Sequence, residues 1–590
     1  MKRAFLYILS VLGTTSAFAQ IDSTSSKSDT IIRRDIEVTK EYTPVIKEAG
    51  KINSMPEIKD VKTKKLEVNY REGTSSFKPK SNIIPTLDYA TSNQEKNDYS
   101  KKGYVKVGGG NKASFLGELY TPIYSSDVTL LDFKLKHNSS FGKVNFFKES
   151  YPELSTDFKT KGLINDNKMR LSYLRSIKKK EIGGYGEFGF NKFNYYGLNE
   201  DLINFSALNA ERKEPVYEND ESKAHHLTAG FNFRYKSKDF INKWKYDLQT
   251  NYKLLKTDLD FAENTIYTDL KGACKVNDSH INLQFEMYNI FNKLPEDSTE
   301  LGFKRNNNFG NYTVLKFNPY YTFTSEVGNF NLGLKTAFGL GQGRKFSITP
   351  DIFGNVNIID EIWYLYAGVT GDYKVNNLRS VIDENIYITP SVRPEDTYTP
   401  VDVYVGTKFN IFRAVSADFH VGYKVIKNPY FFVNKIVKVD SLTSYNTNTF
   451  DVVYDDNAGN FSFGTGINYN WKNTLDVSFK FDYNKWILDK QEEAWQLPST
   501  LIETNVAYIA TDYLRFNVFY NFTGGRKALV NGNVVEMKNV NDVGLGATYK
   551  VMSFLDAFVK FDNILNQKYE SWYGYPTHRF NFMAGLTLLF

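Results

Sequence analysis

The sequence predicts an all-β protein, closed into a transmembrane antiparallel β-barrel of about 22 strands, with twenty as the fallback count, behind a largely irregular N-terminal periplasmic arm. Three observations carry this reading. The last stretch alternates: Phe580, Phe582, Ala584, Leu586, Leu588 and Phe590 are apolar, while Asn581, Gly585 and Thr587 lie between them. Period two is the signature of a strand with one oily face. Second, aromatic residues make up 16% of the chain, with 41 Tyr and 46 Phe, although the mean hydropathy is only -0.43. A polar average with so many amphipathic rings suits girdles at two lipid–water interfaces. Third, an export signal is followed by no run near the roughly 20 apolar residues that a membrane helix needs. An exported chain that spans must then span with strands.

The export signal occupies residues 1–19. Met1-Lys2-Arg3 is its basic start, Ala4 to Leu12 its apolar core and Ala17-Phe18-Ala19 a small-residue cleavage site ahead of Gln20. No Cys follows that site, so a lipid anchor is not expected there. The single cysteine, Cys274, excludes an internal disulfide and a cysteine-rich metal site. A net charge of +6 is small for 590 residues and implies no nucleic-acid role.

Residues 20–102 form the arm. Rich in Ser, Lys, Asp, Glu and Pro, they lack the periodicity of a core-forming segment. Within them, Asp35 to Ile46 alternates polar and apolar residues up to Pro44. Ile36, Glu37, Val38 and Thr39 would suit an edge strand added to a partner's sheet; a plain tether is the alternative.

The barrel occupies residues 103–590. From residue 226 the strands can be read directly: Leu227, Ala229, Phe231, Phe233 and Tyr235 alternate with Thr228, Gly230, Asn232, Arg234 and Lys236. Leu475, Val477, Phe479, Phe481 and Tyr483 alternate with Asp476, Ser478, Lys480, Asp482 and Asn484, and a third set runs from Phe461 to Trp471. Apolar side chains should face lipid and polar ones the lumen. Short periplasmic turns are expected near Lys238, Asn277, Val327, Asp360, Arg413, Lys472, Asp512 and Ser553, with longer extracellular loops between them. Those turns imply about seventeen strands. Residues 103 to 198 offer alternating pieces around Val105, Phe115, Leu131, Phe158, Leu171 and Tyr185, and the even parity of single-chain barrels favours five.

The end of the chain carries a resemblance. Phe561 to Tyr569, then Tyr573-Gly574-Tyr575-Pro576, Arg579 and the final alternation through Phe590 resemble the closing hairpin of TonB-dependent receptors. In that likeness Phe580, Phe582, Leu586, Leu588 and Phe590 stand as the barrel's C-terminal signature. The resemblance implies insertion by the barrel-assembly machinery and transport of a nutrient or complexed metal. It also implies that Ile36 to Ile46 contacts a periplasmic energy-coupling protein. One departure stands out: such receptors carry a folded plug before the barrel, and the polar residues 20–102 are too few and too polar to build one.

Chemistry-bearing constellations are sparse. His225-His226 is the only histidine pair, and neighbours on a strand point to opposite faces, so no metal site is expected there. No nucleophile elbow, phosphate loop or paired catalytic carboxylates can be read, so neither an enzyme nor a cofactor is expected. Gly108-Gly109-Gly110 belongs to a strand end or tight turn, with no helix after it to make a dinucleotide site. Tyr195-Tyr196 with Glu200 and Asp201, and Trp572-Tyr573 with Tyr575, read as interface-girdle rings or as a surface for carbohydrate or a protein partner. Two functions follow: receptor-type transport, or a plugless scaffold whose arm and loops hold periplasmic partners and a surface lipoprotein for envelope assembly.

Overall fold

The structure, a computed structural model, describes residues 103–590 except 152–153, 199–222, 278, 296–309, 326, 342, 390–391, 393–394, 412–413, 439–443 and 473. The signal peptide, the arm and the segment Ile36 to Thr39 lie outside the described residues.

A single antiparallel sheet of 22 strands closes on itself. Its first strand, Tyr104–Gly110, pairs with Ser114–Ser125 on one side and with the last, Asn581–Leu589, on the other. Closure runs from Tyr104 opposite Leu589 to Gly110 opposite Met583. The three glycines belong to this seam. A Cβ on Gly110 would fall 2.3 Å from the Phe582 carbonyl oxygen, so the two backbones approach closely only because no side chain intervenes.

The strand count matches the expected 22, and its division follows the parity argument. Five barrel strands precede residue 199 and seventeen follow residue 222. The piece around Phe158 is not one of them. Phe158–Lys161 pairs only with Lys143–Phe146, a hairpin of two four-residue strands standing above the wall. Three further hairpins stand in loops: Tyr430–Lys438 with Ser444–Tyr454, Lys527–Val530 with Asn533–Glu536, and Glu570–Trp572 with Tyr575–Pro576. Among the described residues the expected short turns fall between paired strands on one rim, and the strands they join are linked on the other by the longer connections; Arg413 itself lies outside the described residues.

The outward face is apolar. Phe582, Leu586, Leu588 and Phe590 are exposed on it, as are Phe231, Phe461, Phe463 and Tyr483. Their alternates turn to the lumen, where charges meet along a strand, Lys480 with Asp482 at 2.5 Å, and across strands, Lys236 with Glu181 at 2.9 Å. Such pairing keeps a charged lining compatible with a wall whose other face is oil.

Candidate functional site

The largest buried core of the described residues lies mostly in the loops, with a few wall-strand ends, and the loops converge over one mouth of the barrel as a canopy. Its centre is three tyrosines from three loops. Tyr196 follows the fifth barrel strand, Lys180–Asn194; Tyr387 lies between the thirteenth and fourteenth, Trp363–Lys374 and Thr397–Ile411; Tyr575 precedes the last. These loops start roughly a third of the circumference from one another, so their meeting places the rings across the opening. Tyr387 stacks on Tyr575 with centroids 3.7 Å apart and planes at 22°. Tyr196 meets Tyr575 edge-on at 5.0 Å and Tyr387 at 5.9 Å.

Backbone and polar contacts fix the node. The Tyr196 hydroxyl donates to the Pro576 carbonyl at 3.2 Å, and the Tyr575 hydroxyl donates to the Asn448 carbonyl. Leu198 N–H donates to the Gly574 carbonyl at 2.9 Å. Gly574 holds a φ of 84°, left-handed backbone that glycine adopts without strain. Phe432 and Phe450 pack on Trp572 at 5.2 and 5.6 Å, and Phe450 N–H donates to the Tyr387 carbonyl.

A short helix, α1 (Leu378–Glu384), braces Tyr387 from below. Asn377 caps it, accepting from Ser380 N–H, and Leu378, Val381 and Ile382 enter the canopy core. Glu263, at the top of another wall strand and 1% exposed, accepts from Leu378 N–H at 2.7 Å. A carboxylate is well placed against free helical N–H groups.

Two more carboxylates tie loops together. Asp455 is fully buried and accepts from the N–H groups of Asn457, Asp489, Lys490 and Gln491 at 2.8 to 3.2 Å. Burial works against its charge, but the four donors hold its carboxyl below the usual range. Glu570 accepts from Gly574 N–H at 2.9 Å, while the Arg526 guanidinium donates to the carbonyls of Glu570 and Ser571. Here burial prevails and pushes the Glu570 carboxyl up to about 7.

The structure corrects the reading of the loop rings. Tyr196, Trp572, Tyr573 and Tyr575 are between 0% and 8% exposed, so they are neither girdle rings nor an open ligand platform. They are the core of a lid. His225 and His226 do point apart: His225 is exposed against Phe190, His226 is buried against Phe193, and no three-ligand metal cluster occurs among the described residues. Tyr387, Glu263, Asp455 and Glu570 were not foreseen. Only α1 left a signal, in the Asn377-to-Ser380 capping spacing before Leu378, Val381 and Ile382.

No family model and no curated protein matches the sequence. Among solved structures the chain is similar to the siderophore receptor PirA from Acinetobacter baumannii (TM-score 0.59, 11% identity, 83% of this chain and 80% of that one). It is similar to the FrpB iron transporter from Neisseria meningitidis (TM-score 0.60, 10% identity, 84% and 82%). The ferric-catecholate import receptor Fiu from E. coli K12 aligns at a TM-score of 0.57 with 11% identity over 83% and 82%. The 22-stranded closure and these likenesses together show a TonB-dependent-receptor-like β-barrel fold.

Proposed function

We propose that the chain works in the outer membrane as a receptor-type importer of a nutrient or complexed metal, its mouth closed by the canopy until substrate or an energised partner opens it. The short-turn rim faces the periplasm and the canopy faces outside. The observation that supports this reading is the Tyr196–Tyr387–Tyr575 node. Burying an aromatic side chain is worth roughly 1.5 to 3 kcal/mol, so exposing all three costs on the order of 5 kcal/mol or more. The mouth then stands open in about one molecule in several thousand at most. That argues against a passive pore and for a differential binding energy that opens it.

On this reading Ile36, Glu37, Val38 and Thr39 pair with the sheet edge of a periplasmic energy-coupling protein. Val38→Pro removes a donor and disrupts that pairing. Expected is normal abundance in the outer membrane with loss of energy-dependent uptake; unchanged uptake would refute the coupling role.

The extent of the canopy favours a second reading. Twenty buried apolar residues, the three node rings among them, form one core drawn from several loops and the strand ends carrying Phe193, Ala224 and Leu255, so a full opening exposes far more than three rings. A permanently closed barrel would serve as a scaffold for periplasmic proteins or a surface lipoprotein. Pull-downs that lose partners in Val38→Pro, from a strain with no uptake to lose, would establish the scaffold instead.

A further inference from the structure

On the outward face near the short-turn rim, cations and phenols gather without an acid. Lys180 begins one strand, and its ammonium lies 5.9 Å from the Tyr235 ring centroid on the next. The Tyr235 ring in turn meets that of Tyr246, centroids 5.4 Å apart. The Tyr246 hydroxyl donates to that of Tyr235 at 3.2 Å, which leaves the Tyr235 proton to point elsewhere. Ile177 stands opposite Lys180, and Arg175 opposite Ile182, so Arg175 lies diagonal to Lys180 across one strand pair. Trp244, 59% exposed, stands on the outward face one pleat beyond Tyr246.

The alternation fixes which face these groups occupy. Arg175 shares its parity with the exposed Leu171, Tyr173 and Ile177, Tyr235 with Phe231, and Tyr246 with Tyr252 and Trp244. The lumen side of the same strands is balanced, Glu181 against Lys236 at 2.9 Å and Arg234 against Asp247. Among the described residues, no carboxylate lies within ion-pair distance of Arg175 or Lys180. Each of the five groups is a donor, and the two charged ones are cationic.

A cation on the lipid face is tolerated near the interface and costly toward the midplane, so Arg175 and Lys180 must sit at headgroup depth. The counterion available there is a phosphate. Zwitterionic headgroups neutralise their phosphate with their own amine, whereas a phosphatidylglycerol phosphate carries its charge unbalanced. We propose that Arg175, Lys180, Tyr235, Tyr246 and Trp244 form a binding site for the phosphate of an anionic phospholipid in the periplasmic leaflet, Lys180 and Arg175 supplying the charge, the Tyr235 hydroxyl a directed donor and Trp244 an interfacial anchor. The site rests on the membrane-spanning reading of the barrel.

The test uses the full chain, reconstituted into phosphatidylcholine vesicles with and without phosphatidylglycerol, then extracted for native mass spectrometry. Expected is selective retention of phosphatidylglycerol over phosphatidylcholine. Retention falls about tenfold in Lys180→Gln, the loss of one charge-assisted hydrogen bond, and further in Lys180→Gln with Arg175→Gln. Tyr549→Phe, on an exposed tyrosine elsewhere near the turn rim, leaves it unchanged. Equal retention of the two lipids, retention indifferent to the double variant, or displacement by millimolar inorganic phosphate would overturn the lipid site. A wild-type chain that does not insert into either vesicle would overturn the membrane reading instead.

Discussion

The stacked rings of Tyr387 and Tyr575, 3.7 Å between centroids, join the loop between the thirteenth and fourteenth barrel strands to the loop before the last. Both rings are almost wholly buried, at 5% and 0% exposure. Tyr575→Ala removes the shared partner of Tyr196 and Tyr387, and truncation of a buried aromatic costs about 3 to 5 kcal/mol. The wall does not depend on that ring. In planar bilayers, Tyr575→Ala is expected to raise the frequency of ion-conducting openings by about a hundredfold or more while heat-resistant migration of the barrel persists. Wild-type silence in the variant would place the seal elsewhere.

Glu263 and Leu378 make the second link, a 2.7 Å hydrogen bond from a wall strand to the first turn of α1. Glu263→Ala leaves the Leu378 N–H buried without that acceptor. A hydrogen bond to a charged group contributes about 1.5 to 3 kcal/mol, so hydrogen exchange at Leu378 should accelerate roughly 10- to 100-fold. Exchange in the wall strands should stay as slow as before. Uniform acceleration would mean that the helix and the barrel open together.

Lipid and lumen positions on one strand should respond oppositely to charge. Phe481 meets Phe463 at 5.9 Å on the outward face, while Lys480 pairs with Asp482 on the inward one. Phe481→Lys is expected to destabilise the folded barrel by about 2 to 4 kcal/mol if it lies near the midplane. Lys480→Gln exchanges an ion pair for a polar contact beside water and should cost under about 1 kcal/mol. Urea unfolding in liposomes measures both; similar costs for the two would invalidate the assignment of faces.

The wall was legible because each of its strands carries its own information. Leu475 to Tyr483 announces a two-faced strand without reference to any neighbour, and Lys472 marks the turn that precedes it. The piece around Phe158 could not be told from the five wall strands by alternation alone, because four residues alternate as well as fourteen do, though they are too short to cross a bilayer. The canopy was illegible for a different reason. Tyr196 donates to Pro576 across 380 residues of sequence, and no local period encodes such a contact. Rings in polar loops look alike whether they cover a rim or one another. Leu378, Val381 and Ile382 are the exception, since their helical spacing behind Asn377 lies within a single turn.

Glu570 makes canopy stability depend on pH. It is half-buried in the closing loop, and its carboxyl is pushed up to about 7, against about 4.5 when exposed, chiefly by desolvation and in spite of Gly574 N–H and the nearby Arg526. A carboxyl whose pKa is higher in the folded state binds its proton more tightly there, so protonation favours the closed canopy. The stabilisation is complete below about 4.5, is lost as pH rises toward 7, and changes little above it. Over that window the loss is on the order of 3 kcal/mol. His578, lowered by burial to about 4 against about 6.5 when exposed, works in the opposite sense between those values in any opening that also frees it; its partner Ser140 belongs to a wall strand, so an opening confined to the Gly574 turn leaves it in place. Hydrogen exchange at Leu198, whose N–H closes on the Gly574 carbonyl, should therefore speed up from pH 5 to pH 7 beyond the intrinsic base-catalysed rise. Glu570→Gln mimics the protonated acid and should remove the excess while keeping the tight low-pH behaviour. An excess that survives in Glu570→Gln would assign the titration to another group, and no excess in the wild type would mean that the acid stays neutral throughout.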